Sequence, residues 1–344
     1  MNESAVNTYV RKTTGVIELD RSKALNSLSP QMILDIKAIL EQWRDDANVT
    51  QVLVYSNSPK AFCAGGDVRS ARDGVVEGRL EETDAYFRTE YEMNHLISEF
   101  PKPYISLIDG VAMGGGLGLS AHGSHRIVSD KAFASMPEMN IGYVTDVGMS
   151  YFSQRMIGTR AKASAPLALF WATTAYRMYA ADMLWTGLAT HYVPEIGTDF
   201  IESVIEKGVE DALVGVECEP NDTPPLADMS TAIEETFDKG SWEEIVEAVN
   251  NHPHESLREI VQGLEGVASP TSLVAAVELF KANAAAPDLR AGLDNELALG
   301  TYLIRQADFV EGVRAVLIDK TGDPQFQPAR VEDVDKQEIL EQLR

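Results

Sequence analysis

The chain has 344 residues, 44% of them hydrophobic, which suffices for one large domain or for one domain and an appendage. Asp and Glu outnumber Lys and Arg by 53 to 29, and the resulting formal charge of −24 argues against nonspecific binding to nucleic acid or to an anionic membrane. The two cysteines, Cys63 and Cys218, do not suggest a disulfide framework or a zinc site, and no uncharged apolar stretch approaches the roughly 20 residues of a membrane span, so we expect a cytoplasmic protein.

Strands and helices alternate in the first part of the chain. The pattern predicts strands over 14–19, 51–56 and 104–108 and helices over 30–45 and 81–99. Ser29 is a good N-cap for the first helix, Pro30 suits its first position, and Pro101 follows the end of the second. This order predicts a layered α/β fold in which the crossovers bring strand ends to one shared edge, where ligands usually bind.

The rest of the chain is mainly helical. From about residue 161 the pattern favours helices, apart from a connection at 189–194 and a predicted strand over 315–318. The segment 217–225 is too polar and too rich in proline for a core element. We therefore divide the chain into a catalytic core over 1–216 and a mainly helical region over 217–344.

Two glycine-rich turns follow predicted strands, one at Gly65-Gly66 and one at Gly114-Gly115-Gly116. Glycines leave backbone N–H groups uncovered, and at the start of a helix these donors favour a carbonyl oxygen that gains negative charge during a reaction. Either turn alone is explained as well by tight packing of strand against helix. The two together favour a site in which each turn supplies one donor to the same oxygen.

Two carboxylates follow the second turn. Glu138 comes directly after Met136-Pro137, and Asp146 lies eight positions later, beyond Gly142. Carboxylates beside an activated carbonyl can orient water, transfer its proton or attack directly, and their relative pKa values decide the roles. In isolation both would be interpreted as surface acids, but with the glycine turns they predict acyl-transfer chemistry.

The histidines do not suggest a second kind of site. His122 and His125 follow the second turn without a partnered Ser or Cys nucleophile, so we interpret them as helix-end or core residues. His252 and His254 lack acidic ligands at a suitable spacing. We expect no metal.

An ordered set of motifs extends over most of the chain. The set is RSKALNSL at 21–28, KAFCAGGDVR at 60–69, MGGGLGLSAHG at 113–123, MPEMNIGYVTDVGMSYF at 136–152, TGLATHYVP at 186–194, SPTSL at 269–273 and DFVEGVRAVLIDK at 308–320. It resembles the enoyl-CoA hydratase/isomerase (crotonase) superfamily, and its C-terminal members resemble the hydrolase branch of that superfamily.

The resemblance implies a crotonase-like spiral of ββα repeats with a helical C-terminal region. It also implies an acyl-CoA substrate whose thioester oxygen accepts hydrogen bonds from the N–H groups of Gly66 and Gly115. Coenzyme A is part of the substrate, so no cofactor is expected, and self-association as trimers or pairs of trimers is expected. The implied CoA- and substrate-binding residues are Lys23, Ala24, Ala61, Ala64, Asp67, Arg69, Gly114 and Lys320, of which Arg69 and Lys320 would lie near phosphate.

The catalytic positions separate the branches of the superfamily. Hydratases that this chain resembles use two glutamates, at the positions of Gly118 and Glu138, and Gly118 cannot act as an acid or a base. The hydrolase pattern combines Glu138 with Asp146, so the resemblance favours thioester hydrolysis. Glu138 would be either the nucleophile, forming an anhydride, or the general base toward water. Asp146 would orient water or the substrate hydroxyl.

Two positions depart from the hydrolase pattern, which has proline before the aspartate and two glycines after Asp-Val. Thr145 stands where the pattern has the proline. Met149 lies where the pattern has the two glycines, and we expect it to narrow the acyl pocket. The expected substrate is 3-hydroxyisobutyryl-CoA of valine breakdown or another short 3-hydroxyacyl-CoA. The alternatives are an enoyl-CoA hydratase or isomerase and a noncatalytic acyl-CoA-binding subunit.

Overall fold

The computed structural model describes residues 5–343, so residues 1–4 and 344, at the outer ends of the two predicted regions, lie outside the described part. The strands are β1 Val6–Arg11, β2 Thr14–Leu19, β3 Gln51–Ser56, β4 Ala61–Cys63, β5 Tyr104–Ile108, β6 Val111–Met113, β7 His125–Val128, β8 Phe133–Ser135, β9 Met178–Tyr179 and β10 His191–Tyr192. The helices are α1 Pro30–Asp45, α2 Val68–Val76, α3 Leu80–Ser98, α4 Gly115–Ser120, α5 Met149–Phe152, α6 Ala165–Thr174, α7 Ala180–Thr186, α8 Thr198–Lys207, α9 Val209–Leu213, α10 Pro225–Phe237, α11 Trp242–Asn251, α12 Glu255–Gln262, α13 Pro270–Ala285, α14 Leu289–Leu303, α15 Ala307–Val313 and α16 Lys336–Gln342.

The strands form two sheets. The first has the order β1-β2-β3-β5-β7-β10 and the second the order β4-β6-β8-β9. The β1–β2 and β8–β9 pairs are antiparallel, and the other pairs are parallel. From β3 to β8, consecutive strands therefore enter different sheets, and a helix or helical turn follows each of the pairs β3–β4, β5–β6 and β7–β8. This is the spiral of ββα repeats that the resemblance implied, and the fold prediction is confirmed.

Helix α1 shows why the local predictions succeeded. The Ser29 hydroxyl accepts a hydrogen bond from Met32 N over 3.3 Å, and Pro30 occupies the first helical position. The buried residues recur at helical spacing, namely Met32, Ile33, Ile36, Leu40 and Trp43. Helix α3 extends over Leu80–Ser98, so each end lies one residue before the predicted bounds of 81–99, a difference that is ordinary at helix ends.

The predicted strand over 315–318 is wrong. The chain continues from α15 into a π-helical turn over Arg314–Ile318. Arg314 forms ion pairs with Glu311 and Asp319, which lie on either side of it along the helical path. A short apolar run does not distinguish strand from helix, and here the preceding helix and these ion pairs decide the conformation.

The helical region packs onto the core through large apolar side chains. Phe237 of α10 meets Phe170 of α6 edge to face, with ring centroids 5.4 Å apart, and both belong to the main buried cluster. The division of the chain at residue 216 stays a prediction. Among the helices of the described residues, none has both the length and the apolar character required to traverse a bilayer.

Candidate active site

A cavity of about 270 Å³ lies where β4 and β6 of the second sheet lead into helices. Seven of the residues singled out in the sequence line it, namely Ala64, Gly65, Gly66, Gly114, Gly115, Glu138 and Asp146. They come from three segments that together extend from position 64 to position 146, and the spiral brings them to one place.

The two glycine turns meet at the cavity. A Cβ atom built on Gly115 would stand only 3.1 Å from the backbone nitrogen of Gly66. Within residues 5–343, neither the Gly66 N–H nor the Gly115 N–H donates a hydrogen bond. Gly115 is the first residue of α4, so its N–H has no partner inside the helix. The arrangement leaves two adjacent donors for an oxygen of a bound molecule.

Glu138 begins a short 3₁₀ turn after β8 and is only 7% exposed. Its Oε1 lies 2.9 Å from the place that a Cβ on Gly114 would occupy, so only glycine at 114 leaves room for the carboxyl group. Its Oε2 is buried and has no hydrogen-bond partner in the described part of the chain. Burial, and then the charge of Asp146, raise the pKa of Glu138 well above its ordinary value.

Asp146 is held by a tyrosine. The Tyr91 hydroxyl of α3 donates a hydrogen bond to Asp146 Oδ2 over 2.7 Å, and it also lies 3.1 Å from the Tyr143 hydroxyl. Burial raises the pKa of Asp146 to about 7, and the hydrogen bond from Tyr91 opposes that rise. Raised carboxyl pKa values at neighbouring positions of one cavity are typical of acid–base chemistry near neutral pH.

The sequence analysis missed a third carboxylate, Glu90 of α3, which lines the same cavity and is 2% exposed. Its Oε1 has no hydrogen-bond partner among the described residues. Burial, and then the charge of Asp146, raise its pKa well above the ordinary value. The sequence pattern that could have revealed Glu90 is its spacing of four residues from both Tyr86 and Asn94. This spacing places Glu90 on the buried face of α3, a helix whose sequence is otherwise typical of an acidic, solvated helix.

Gly118 has no space for a side chain. A Cβ there would lie 2.7 Å from Val147 Cβ and 2.8 Å from Asn94 Nδ2. The position at which related hydratases carry their first glutamate is therefore filled by neighbouring side chains.

Four of the residues assigned to CoA do not line the cavity in the described structure. Exposed Lys23 and half-buried Ala24 lie in the 3₁₀ turn Ser22–Ala24, and Ala61 is buried in β4. The Asp67 side chain caps α2 and forms an ion pair with Arg21, with Oδ2 of Asp67 2.9 Å from Nη2 of Arg21. Their role toward CoA stays a prediction.

The two cations assigned to phosphate lie near the C-terminal wall of the cavity. Val316 and Leu317 of the π-helical turn line this wall. Exposed Arg69 donates from Nη2 to the Leu317 carbonyl oxygen over 2.6 Å. Lys320 is exposed just beyond the turn. Both therefore lie on the same side of the cavity, and neither lines it in the described structure.

The two departures from the hydrolase pattern lie behind the cavity. Met149 is fully buried in the core and is not among the described lining residues, so the expectation that it narrows the pocket is wrong. The chain turns away from the cavity after Asp146 and carries Met149 into α5. Thr145 is also buried, and its hydroxyl is 3.5 Å from the Ala172 carbonyl oxygen.

Comparison with known proteins identifies one family, and the similar proteins within it are named either as hydrolases or as hydratases and dehydratases. A family model described as enoyl-CoA hydratase/isomerase matches residues 14–343. The mitochondrial 3-hydroxyisobutyryl-CoA hydrolase of Gallus gallus is 35% identical over 96% of this chain and 87% of that protein. The mitochondrial 3-hydroxyisobutyryl-CoA hydrolase of Homo sapiens is 33% identical over 95% of this chain and 85% of that protein.

Two crystal structures resemble the whole chain. A carnitinyl-CoA dehydratase from Mycobacterium thermoresistibile has a TM-score of 0.91 at 31% identity, covering 99% of this chain and 97% of that one. An enoyl-CoA hydratase from Rhodobacter sphaeroides 2.4.1 has a TM-score of 0.86 at 32% identity, with the same coverage of 99% and 97%. The resemblance that the motifs suggested is confirmed, and the chain belongs to the enoyl-CoA hydratase/isomerase (crotonase) family.

Proposed function

We propose that this protein hydrolyses a short-chain 3-hydroxyacyl-CoA thioester, with 3-hydroxyisobutyryl-CoA as its substrate. The carrying observation is that Glu138 and Asp146 line one cavity with the free N–H groups of Gly66 and Gly115, while position 118 is closed. The names of the relatives in Gallus gallus and Homo sapiens support this substrate.

In the proposed reaction, the thioester carbonyl oxygen accepts hydrogen bonds from Gly66 N–H and Gly115 N–H. These donors stabilise the negative charge that this oxygen gains when the carbonyl carbon is attacked. Two routes follow. Glu138 attacks the carbonyl carbon, the C–S bond breaks, CoA leaves as its thiolate, and water then hydrolyses the anhydride. Alternatively, Glu138 takes a proton from water, whose oxygen attacks the same carbon.

Asp146 has a separate task in both routes. Its Oδ2 accepts the hydrogen bond from Tyr91, which fixes the carboxylate beside the cavity. A carboxylate in this position accepts a hydrogen bond from water or from the substrate hydroxyl and so sets the orientation of attack. The reaction as proposed uses the side chains and backbone of the protein and needs no cofactor, since coenzyme A belongs to the substrate.

The test is thiol release from 3-hydroxyisobutyryl-CoA, 3-hydroxypropionyl-CoA and crotonyl-CoA by the wild type, Glu138→Gln and Asp146→Asn. The hydrolase proposal predicts release from the hydroxyacyl thioesters and its collapse in both variants. A wild type that releases no thiol contradicts it. Single turnover in H₂¹⁸O identifies the anhydride route where water attacks the Glu138 carbonyl carbon, because ¹⁸O then enters the Glu138 carboxyl group, which the general-base route never labels.

A second candidate is water addition to an enoyl-CoA, and Glu90 is the observation that favours it. Together with Glu138 it provides two glutamate carboxyl groups at one cavity, although neither stands at position 118. The names of the two similar crystal structures point in the same direction. Loss of the enoyl absorbance of crotonyl-CoA without thiol release would identify this activity. Absence of both thiol release and absorbance loss with all three substrates would favour a binding subunit.

Three further assignments are part of the proposal. We assign Lys23, Ala24, Ala61, Ala64, Asp67 and Gly114 to the path of CoA and substrate, and Arg69 and Lys320 to its phosphates. We place the protein in the cytoplasm, where its two free cysteines would stay reduced, although the relatives cited above are named as mitochondrial. Self-association as trimers or pairs of trimers is checked by light scattering after gel filtration.

A further inference from the structure

The backbone turns in a costly conformation directly after Asp146. Val147 has φ of 53°, in the left-handed region, and Gly148 follows with φ of 80°. A β-branched residue rarely adopts this conformation, which persists where the surrounding structure imposes it and is concentrated at functional sites. Val147 is also buried, at 1% exposure, so it cannot relax toward solvent.

His122 holds one side of this turn. Its Nε2 lies 2.7 Å from the Val147 carbonyl oxygen, and since a carbonyl only accepts, Nε2 carries the hydrogen. Burial lowers the pKa of His122 to about 4, so the ring is neutral at pH 7 and its tautomer is set by this bond. The ring packs edge to face on Phe152 with centroids 5.6 Å apart, which fixes its direction.

Glu296 of α14 holds the other side. Its Oε2 accepts from Gly148 N over 2.6 Å, and its Oε1 accepts from Ser150 N over 3.1 Å and from Ser150 Oγ over 2.5 Å. The carboxyl group is fully buried, and burial raises its pKa to about 8 while the Ser150 and Gly148 donors oppose that rise. Asn283 donates to the same Ser150 hydroxyl over 2.5 Å, which extends the network into α13.

We propose that His122 and Glu296 are positioning residues that together impose the left-handed turn at Val147 and thereby aim Asp146 into the cavity. Neither side chain lines the cavity within the described structure, so both act through the backbone of 146–148. Tyr91 fixes the Asp146 carboxylate, and the two positioning residues fix the backbone from which it projects. The inference rests on the proposed function, because it assigns the residues to the task of Asp146.

The first test compares kcat and KM for thiol release. His122→Phe keeps an aromatic ring and removes the donor, and Glu296→Gln replaces one acceptor oxygen by an amide that cannot accept from an N–H. A displaced catalytic group costs on the order of 100-fold in rate, so we expect kcat to fall by about 10- to 100-fold with KM nearly unchanged. His122→Gln, whose amide reaches the same carbonyl oxygen, should recover most of kcat.

Asp182→Asn is the matched control. Asp182 is a fully buried carboxylate of α7 outside the cavity, and it accepts a backbone hydrogen bond from Leu226 over 2.9 Å. Its replacement changes a buried carboxyl group away from the cavity and should leave kcat unchanged. Equal kcat losses in this control and in Glu296→Gln would reduce the effect to general destabilisation and overturn the proposal.

A crystal structure of Glu296→Gln tests the inference independently of activity. We expect the 146–148 turn to move and the 2.7 Å contact between Tyr91 and Asp146 to lengthen beyond hydrogen-bond distance. An unchanged turn and contact would overturn the inference even if the enzyme is an active hydrolase. A wild type without thiol release would instead contradict the proposed function, and the displaced or unchanged turn would still decide whether these residues position Asp146.

Discussion

The hydroxyl of Tyr91 lies 2.7 Å from Asp146 Oδ2, across the gap between α3 and the segment that follows β8. Glu138 Oε2 and Glu90 Oε1, at the same cavity, have no hydrogen-bond partner among residues 5–343. The tyrosine therefore favours the charged form of one carboxyl group, while burial favours the neutral form of the other two.

Tyr91→Phe should move the pH dependence of the enzyme. The hydrogen bond from Tyr91 lowers the pKa of Asp146, which burial raises to about 7, so removal of the bond raises that pKa further. If hydrolysis requires ionised Asp146, the acid limb of kcat/KM moves to higher pH, and kcat at pH 7 falls by about 10-fold. Rate measurements between pH 5 and 9 check this. Tyr104→Phe, which removes a buried hydroxyl bonded to the Leu119 carbonyl oxygen, is the control and should leave the profile in place.

Asp146→Asn should stabilise the fold at neutral pH. A carboxyl group whose pKa rises on folding contributes full stability below its unfolded value near 3.8 and loses it as the pH rises to the folded value of about 7. The asparagine variant avoids this loss. We expect its melting temperature to equal that of the wild type near pH 4 and to exceed it by roughly 2–5 °C at pH 8. A variant that melts lower than the wild type at pH 8 would contradict the pKa direction.

Gly115→Ala should abolish the paired N–H site. The added Cβ would overlap the Glu90 carboxyl group and stand 3.1 Å from Gly66 N, where the substrate oxygen is expected. Loss of such donors typically lowers kcat by on the order of 100- to 1,000-fold. Gly197→Ala is the control, because the nearest atom to its added Cβ is Glu195 Oε1 at 4.0 Å. Circular dichroism should report both variants as folded, and wild-type rates in Gly115→Ala would refute the assignment.

Arg69→Ala should discriminate between substrates with and without nucleotide phosphates. Only one bond of the exposed guanidinium is described, the one to the Leu317 carbonyl oxygen, so its other donors are available to phosphate. We expect KM to rise by about 3- to 10-fold for the CoA thioester and to change little for the corresponding pantetheine thioester. An equal rise for both substrates would instead assign Arg69 to holding the C-terminal wall of the cavity.

Much of the local structure followed from the sequence because short-range physics decides it. Ser29 and Pro30 set the start of α1, and the buried strands β3 and β5 stand where apolar runs predicted them. The motifs also indicated residues that meet at the cavity, such as Gly66 and Glu138. Their meeting depends on the spiral of repeats, which the family resemblance supplied and local patterns alone do not.

What the sequence did not reveal depends on tertiary packing. Glu90 lies on an acidic helix, and its burial follows from the cavity and from the elements packed around α3. Met149 was expected at the pocket because it lies where the hydrolase pattern has glycines after Asp-Val, but it is the first residue of α5 and is fully buried in the core. The apolar run at 315–318 became helical because α15 precedes it.

The filled space around Gly118 limits how this protein could change its chemistry over evolutionary time. A glutamate at that position would have to displace Val147 and Asn94, and Val147 belongs to the turn that carries Asp146. A glutamate introduced at 118 alone would therefore disturb the turn that carries Asp146. Room for a glutamate at 118 therefore requires accompanying replacements at 94 and 147.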